Sequence, residues 1–540
     1  MHLTPDANMI AKMAESIGAH IGPEEAEQYR PYLIDTLRLV DQFMQERTAI
    51  TPPPMLFPNR GPGYRPLLDE DPYRAWLWKC AIGGSDSGLL AGKRVSFKDH
   101  ISVARIPQVY TSQAMEGFIP DVDATVVTRV LAAGGRVVGK HMMNGFVGDY
   151  APPINAHNPE HTTGGSSSGS GAPLVAGEVD ISFGGDHGGS VRIPASYGGL
   201  VGLKPTFGLV SHFGAGFGAG FGAGFGAGFG AGFGAEMTVD HIGPMARRVE
   251  DVAAALQAVA GYDVLDPRQR REVPESIDVL SSLGDSLKGL KIGLLREGFA
   301  EPIQPEVVEA NMEAARVFEQ LGAEVVWISV PEHAQMDGVY QTIALEGGQA
   351  LFDAGFYGTG YVGYYPQSTI TAVGRLWHDR TDLLPARAKL NLIAAEFIRK
   401  TYHGGAYAKA QNTRAGMIAA FDHALSSVDI IAMPTTLTVA PEVLPKATDP
   451  REAIEDSLSR NWIVTHMAYN TKPTNYTGHP AIAVPCGKIG GLPTSIQLVG
   501  RFFEDGLLLR AAYAYQQAVD WDAYTTIESS DAANLVGATR

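Results

Sequence analysis

Two serine-glycine clusters and one lysine supply the residue types that acyl transfer from an amide requires. The first cluster is Gly164-Gly165-Ser166-Ser167-Ser168-Gly169-Ser170-Gly171. The second is Gly184-Gly185-Asp186-His187-Gly188-Gly189-Ser190-Val191-Arg192-Ile193-Pro194. Upstream, Lys98 closes the apolar-flanked run Val95-Ser96-Phe97. Hydrolysing an amide needs an activated nucleophile, a proton for the departing amine and donors for the oxyanion. A Ser-Lys arrangement provides the first two. Lysine has an ordinary pKa of about 10.4 and becomes a base only where burial favours the neutral amine. Lys98 is expected to point inward at a strand end. Taken alone, a lysine after a strand is a solvated surface charge, so its candidacy depends on the two clusters.

Gly188-Gly189-Ser190 follows the apolar run Ile181-Ser182-Phe183 and precedes a plausible helix start at Val191-Arg192-Ile193-Pro194. Consecutive glycines let backbone N–H groups converge on one point, which suits an oxyanion hole with Ser190 beside it. The plainer alternative is a glycine turn before a helix. The 164–171 cluster has its own plain alternative, a flexible Gly/Ser linker. It is short, however, and Pro173-Leu174-Val175-Ala176 follows at once as apolar structure. Three other patterns are set aside. Gly165-Ser166-Ser167-Ser168-Gly169 fits a nucleophile elbow, but the residues before it read as loop rather than strand. Gly134…Gly139-Lys140 resembles a phosphate loop, yet His141 follows where Ser or Thr is required. His187 beside Asp186 suggests a Ser-His-Asp set, but adjacent residues rarely face one another, so a backbone role for His187 is preferred.

These residues must be positioned by a larger frame. From about residue 88 the pattern alternates strands with helices, which argues for a mixed or mostly parallel sheet covered by helices on both faces, an α/β fold. A helix is expected over 123–133, with Asp123 at its N-terminus and Gly134-Gly135 ending it. Strands are expected at 136–139, 181–183, 290–295, 323–330, 429–434, 481–485 and 495–499, with a closing helix at 504–518. Before this frame, Met9, Ile10, Met13 and Ile17, then Leu33, Leu37, Val40 and Met44, recur at helical spacing. Three regions follow: a helical one at 1–60, a linker at 61–84 marked by Pro and Gly, and the main domain at 85–530. Inside the last, residues 213–235 repeat Phe-Gly-Ala-Gly. Half glycine, at about 1 kcal/mol each against alanine, this tract is a poor helix and is expected to form an expanded loop or hairpin.

The 540-residue chain carries a net charge of −16, which disfavours a nucleic-acid partner. Its two cysteines, Cys80 and Cys486, make no disulfide framework and fit reduced thiols in the cytoplasm. The first residues lack the basic and apolar stretches of a secretory signal. No apolar run approaches the roughly 18 residues of a membrane span. No zinc-type spacing occurs, and no cofactor is expected.

The chain resembles the amidase signature family. The likeness is carried by residues 164–205 through Gly202-Leu203-Lys204-Pro205-Thr206, by the Lys98 strand, and by Asp240-His241-Ile242-Gly243-Pro244-Met245. Thr477-Gly478-His479-Pro480-Ala481 and the 492–501 segment extend it. It is most similar to bacterial amidases that work beside nitrile hydratases. The resemblance implies Ser190 as nucleophile, Ser166 as bridging serine after a cis peptide from Gly165, and Lys98 as base. It further implies an oxyanion hole from the N–H groups of His187, Gly188, Gly189 and Ser190, with Ser167, Asp186 and Arg192 in support. A small-molecule amide is the implied substrate, and the helical N-terminus implies a homodimer. Gly185 departs from the family's usual threonine, and Gly198 from its usual cysteine.

Overall fold

A computed structural model describes residues 4–46, 51–110, 115–143, 151–216, 236–353, 363–380, 386–443 and 467–527. Most of the Phe-Gly-Ala-Gly tract, residues 217–235, lies outside them. The chain divides into two compact units, Met1–Pro52 and Pro53–Arg540. The first is a pair of helices, Ala7–Ser16 and Pro23–Gln45. Asp6 caps the former, its Oδ1 accepting from Met9 N at 2.8 Å, and Pro23 opens the latter, where no N–H is needed. Met9, Met13, Ile17, Val40, Phe43 and Met44 are exposed.

Among the described residues the second unit is built on one sheet of eleven strands. In chain order these are β1 (Trp76–Ile82), β2 (Arg94–Lys98), β3 (Arg136–His141), β4 (Ile181–Asp186), β5 (Val201–Lys204) and β6 (His241–Ala246). Then come β7 (Lys291–Leu295), β8 (Glu324–Ile328), β9 (Ile430–Pro434), β10 (Ala481–Ile489) and β11 (Leu492–Val499). Their order across the sheet is β1-β3-β2-β4-β6-β5-β10-β11-β9-β7-β8. β2 runs parallel to β3 and β4, and β7 runs parallel to β8 and β9; the remaining pairs are antiparallel. The sheet is therefore mixed.

Strand side chains alternate faces, so a sheet covered on both sides needs apolar residues at every position. β9 shows this: Ile430 and Ala432 join the core that holds Phe318 and Tyr515, whereas Ile431 and Met433 join the core that holds Tyr340 and Phe421. β10 does the same, with Ile482 and Val484 on the first face and Ala483 packed near Val191 and Ala195 on the other. Helices Thr125–Ala132, Val249–Val259, Pro305–Gln320 and Asp505–Ala518 cover the first face. Arg192–Gly198 and Gly405–Leu425 lie on the second. No helix among the described residues is long and apolar enough to cross a membrane.

Two expectations are corrected. Residues 76–82, placed in a linker, form β1 and pair antiparallel with β3. Proline and glycine upstream obscured the apolar character of Trp76-Leu77-Trp78, whose Trp76 and Leu77 are buried. Asp123 does not cap the helix that starts at Thr125. Its carboxylate instead pairs with Arg60 and accepts from Ala104 N at 2.9 Å. A buried guanidinium attracts it more strongly than a free helix N–H would.

Candidate active site

Lys98 is the last residue of β2 and only 1% exposed. Its Nζ lies 2.7 Å from Ser166 Oγ and 3.4 Å from the carbonyl oxygen of Gly185. Ser166 Oγ in turn lies 3.2 Å from Ser190 Oγ. The three groups form a continuous relay from amine to outermost hydroxyl. The Gly165–Ser166 peptide is cis, as the resemblance implied. Burial is the main influence on Lys98 and lowers its pKa to about 7; the more distant carboxylates of Asp240 and Asp186 oppose this. Near neutral pH a large share of the amine is therefore unprotonated and able to take a proton.

Ser190 sits between the end of β4 and the helix Arg192–Gly198. Asp186 ties this loop together from its base. Its carboxylate accepts from Gly189 N (2.8 Å), Val191 N (3.1 Å) and Arg192 N (3.3 Å), and pairs with the Arg192 guanidinium at 2.9 Å. Arg192 also donates to Thr474 Oγ1, Gln497 Oε1, Asn475 Oδ1 and the Thr471 carbonyl, all between 2.6 and 3.0 Å. Burial would raise Asp186, but Arg192 and Asn475 hold it well below the usual carboxylate range. Of the four N–H groups expected around the oxyanion, that of Gly189 is thus engaged with Asp186.

Two side chains fix the neighbouring peptides. The Tyr340 hydroxyl donates to the His187 carbonyl, and Thr471 Oγ1 donates to the Gly188 carbonyl at 2.6 Å. In a trans peptide C=O and N–H point opposite ways, so holding the His187 carbonyl on Tyr340 turns the Gly188 N–H to the other side. Gly188 has no room for a side chain, because a β-carbon would lie 2.9 Å from the Tyr340 hydroxyl. His187 pairs through Nδ1 with Asp240, not with its neighbour Asp186. Burial disfavours the imidazolium, yet Asp240 raises the His187 pKa overall. Ser167 is fully buried, its Oγ at 2.6 Å from the place of a Gly184 β-carbon.

Sequence reading missed Tyr340, Asp240, Thr471 and Asn475 as supports. Asp240 opens one of the segments that carry the family likeness, but nothing in that segment gave it a role. Asn475, which donates to the Asp186 carbonyl at 2.7 Å, lies 289 residues further along the chain, and no local pattern connects them.

A family model described as Amidase matches residues 75–509. An enantioselective amidase of Rhodococcus rhodochrous is 32% identical over 529 residues, covering 95% of this chain and 96% of the relative. The A subunit of glutamyl-tRNA(Gln) amidotransferase from Methanosarcina mazei is 33% identical over 450 residues, covering 80% of this chain and 86% of the relative. Among solved structures, the corresponding amidotransferase protein of Thermotoga maritima matches with a TM-score of 0.65 at 27% identity, covering 85% of this chain and 90% of that one.

Proposed function

The chain belongs to the amidase signature family of enzymes acting on amide bonds, and within that family we propose that it hydrolyses a carboxamide to a carboxylate and ammonia through a Ser190 acyl-enzyme. The observation that carries this reading is the relay from buried Lys98 through Ser166 to Ser190. Ser190 Oγ attacks the carbonyl carbon and passes its proton to Ser166, whose own proton moves to neutral Lys98. The negative charge on the carbonyl oxygen is received by the remaining N–H groups of the glycine loop. As the C–N bond breaks, the proton returns from Lys98 through Ser166 to the departing nitrogen. Water then attacks the acyl carbon, gives a proton to the same relay, and releases Ser190.

Ammonia release from aliphatic, aryl and carbamate-type amides tests this. The Ser190→Ala variant should lose turnover by a factor on the order of 10^4 to 10^6. Unchanged turnover in that variant rejects the mechanism. Release of larger amines without ammonia would redirect the assignment to N-substituted amides, anilides, carbamates or urea derivatives.

Similarity to amidotransferase subunits supports a second reading, in which the chain serves a multi-subunit complex. The Rhodococcus match takes in 95% of the chain against 80% for the Methanosarcina protein, which favours the free-standing amidase. Co-purification with a second, different chain would reverse that preference. We also read the exposed apolar side chains of the two N-terminal helices as a homodimer contact. Light scattering on a chain lacking residues 1–50 should then report a monomer; an intact dimer removes the role.

A further inference from the structure

Resting on the reading of Lys98 as base, we propose that His100 is a positioning residue for Lys98: its imidazole fills the notch left by the absent side chain of Gly185 and forms a dry wall beside the amine. Gly185 belongs to β4 and offers its carbonyl to Lys98 Nζ at 3.4 Å. Its φ lies outside the left-handed region, so backbone conformation does not require glycine there. Space does. A β-carbon at 185 would lie 2.9 Å from His100 Cε1, 3.4 Å from Cδ2, and nearest of all to Nε2. The ring therefore occupies the volume that any other residue at 185 would claim.

The backbone brings the ring to this place and holds it. Ile101 N donates to the Lys98 carbonyl at 2.9 Å, closing a turn that folds His100 back toward the strand end. The His100 carbonyl accepts from Gln108 Nε2 at 3.0 Å, and Ser102 Oγ donates to Gln108 Oε1 at 3.0 Å. His100 is 1% exposed. The charged and titratable groups whose fields act on it are Lys98, His212, Asp240 and Lys140. Burial first, then the Lys98 charge, lowers the His100 pKa well below its ordinary value, so the ring adds bulk without adding charge. A neutral ring in the notch excludes water from one side of Nζ. Desolvation is the largest influence on Lys98, so admitting water there moves the amine back toward its ordinary pKa.

The test compares His100→Ala, His100→Phe, Gly185→Ala and the double variant Gly185→Ala/His100→Ala with the wild type. Two quantities are followed against pH: kcat/KM for the best amide, and the rate at which a fluorophosphonate probe labels Ser190, which needs no substrate. In His100→Ala the acid limb should move up by about one pH unit, a roughly fivefold loss at pH 7 that approaches about tenfold below pH 6 and disappears at alkaline pH. His100→Phe should keep the wild-type limb, because shape is retained. Gly185→Ala should displace the ring and shift the limb in the same direction, and adding His100→Ala should cost less there than in the wild type. An unmoved limb in folded His100→Ala overturns the proposal, as does a His100→Phe limb that moves as far as the alanine variant's. If His100→Ala does not fold, Gly185→Ala and His100→Phe decide by the same criteria. Wild-type labelling with no acid limb would overturn the Lys98 base reading and this proposal together. A limb that exists but ignores His100 and Gly185 overturns this proposal alone.

Discussion

Two buried lysines stand on adjacent strands and meet different partners. Lys140 on β3 pairs with Asp99 at 2.9 Å, both side chains wholly buried. Lys98, at the end of β2 and paired in register with His141, meets a hydroxyl and a carbonyl, with no carboxylate within ion-pair distance among the described residues. Burial lowers both, but at Lys140 the Asp99 carboxylate opposes the fall, whereas at Lys98 the pKa reaches about 7. On the proposed mechanism, burial alone does not make a base. At Lys140 a bonded carboxylate opposes the effect of burial, and at Lys98 none is bonded among the described residues. Arg192 is the extreme of the first kind, enclosed by a carboxylate and four further acceptors.

Substitution should break the contrast most visibly in turnover. Lys98→Ala is expected to lower kcat/KM by about 10^3, the range of a general base, while the folded amount is kept; near-normal kinetics would reject the base role. Lys140→Ala should act on stability instead. It leaves Asp99 buried and uncompensated, at about 3–5 kcal/mol, readable as a lower denaturant midpoint. A Lys140→Ala protein as stable as wild type would show the two lysines to be less different than their partners suggest.

Titration sharpens the comparison further. On the proposed base role Lys98 acts as the neutral amine, so kcat/KM should rise about tenfold per unit below its pKa of about 7 and level off above it. Stability carries the same signature. The folded pKa lies below the unfolded one, so from about pH 7 to about 10.4 the unfolded chain binds the extra proton and stability rises with pH. Lys98→Met should flatten that rise in melting curves. The smallest expected effect is at Asp240, whose charge raises Lys98. Asp240→Asn should move the acid limb to lower pH by a fraction of a unit. A shift upward would mean that the His187 pair, and not the field at Lys98, dominates that variant.

Much of this was legible in the chain. Ser166, Ser190 and Lys98, singled out because each sits in a short segment of distinctive composition, are brought together by the fold. Glycines stand where backbone must approach, and an apolar run stands where a strand must be buried. The alternating frame from residue 88 followed from the same rules. β1 was not legible, because Pro and Gly before it outweighed its apolar start. Nor was the real partner of His187. Asp186 is its neighbour in sequence, but Asp186 faces Arg192, while Asp240 reaches His187 from the segment preceding β6.

What the sequence determined by itself was the chemical inventory: which groups can attack, relay and donate, and the loops flexible enough to carry them. Tertiary structure decided their states. Whether a lysine is a base or an ion, which N–H is spent on Asp186 and which peptide is turned by Tyr340 depend on groups that fold in from up to 289 residues away. The physical reason is that pKa and hydrogen-bond satisfaction are set by the surrounding volume, which local sequence does not contain. Gly185 and His100 illustrate it: each is ordinary in its own segment, and only packing makes one the complement of the other.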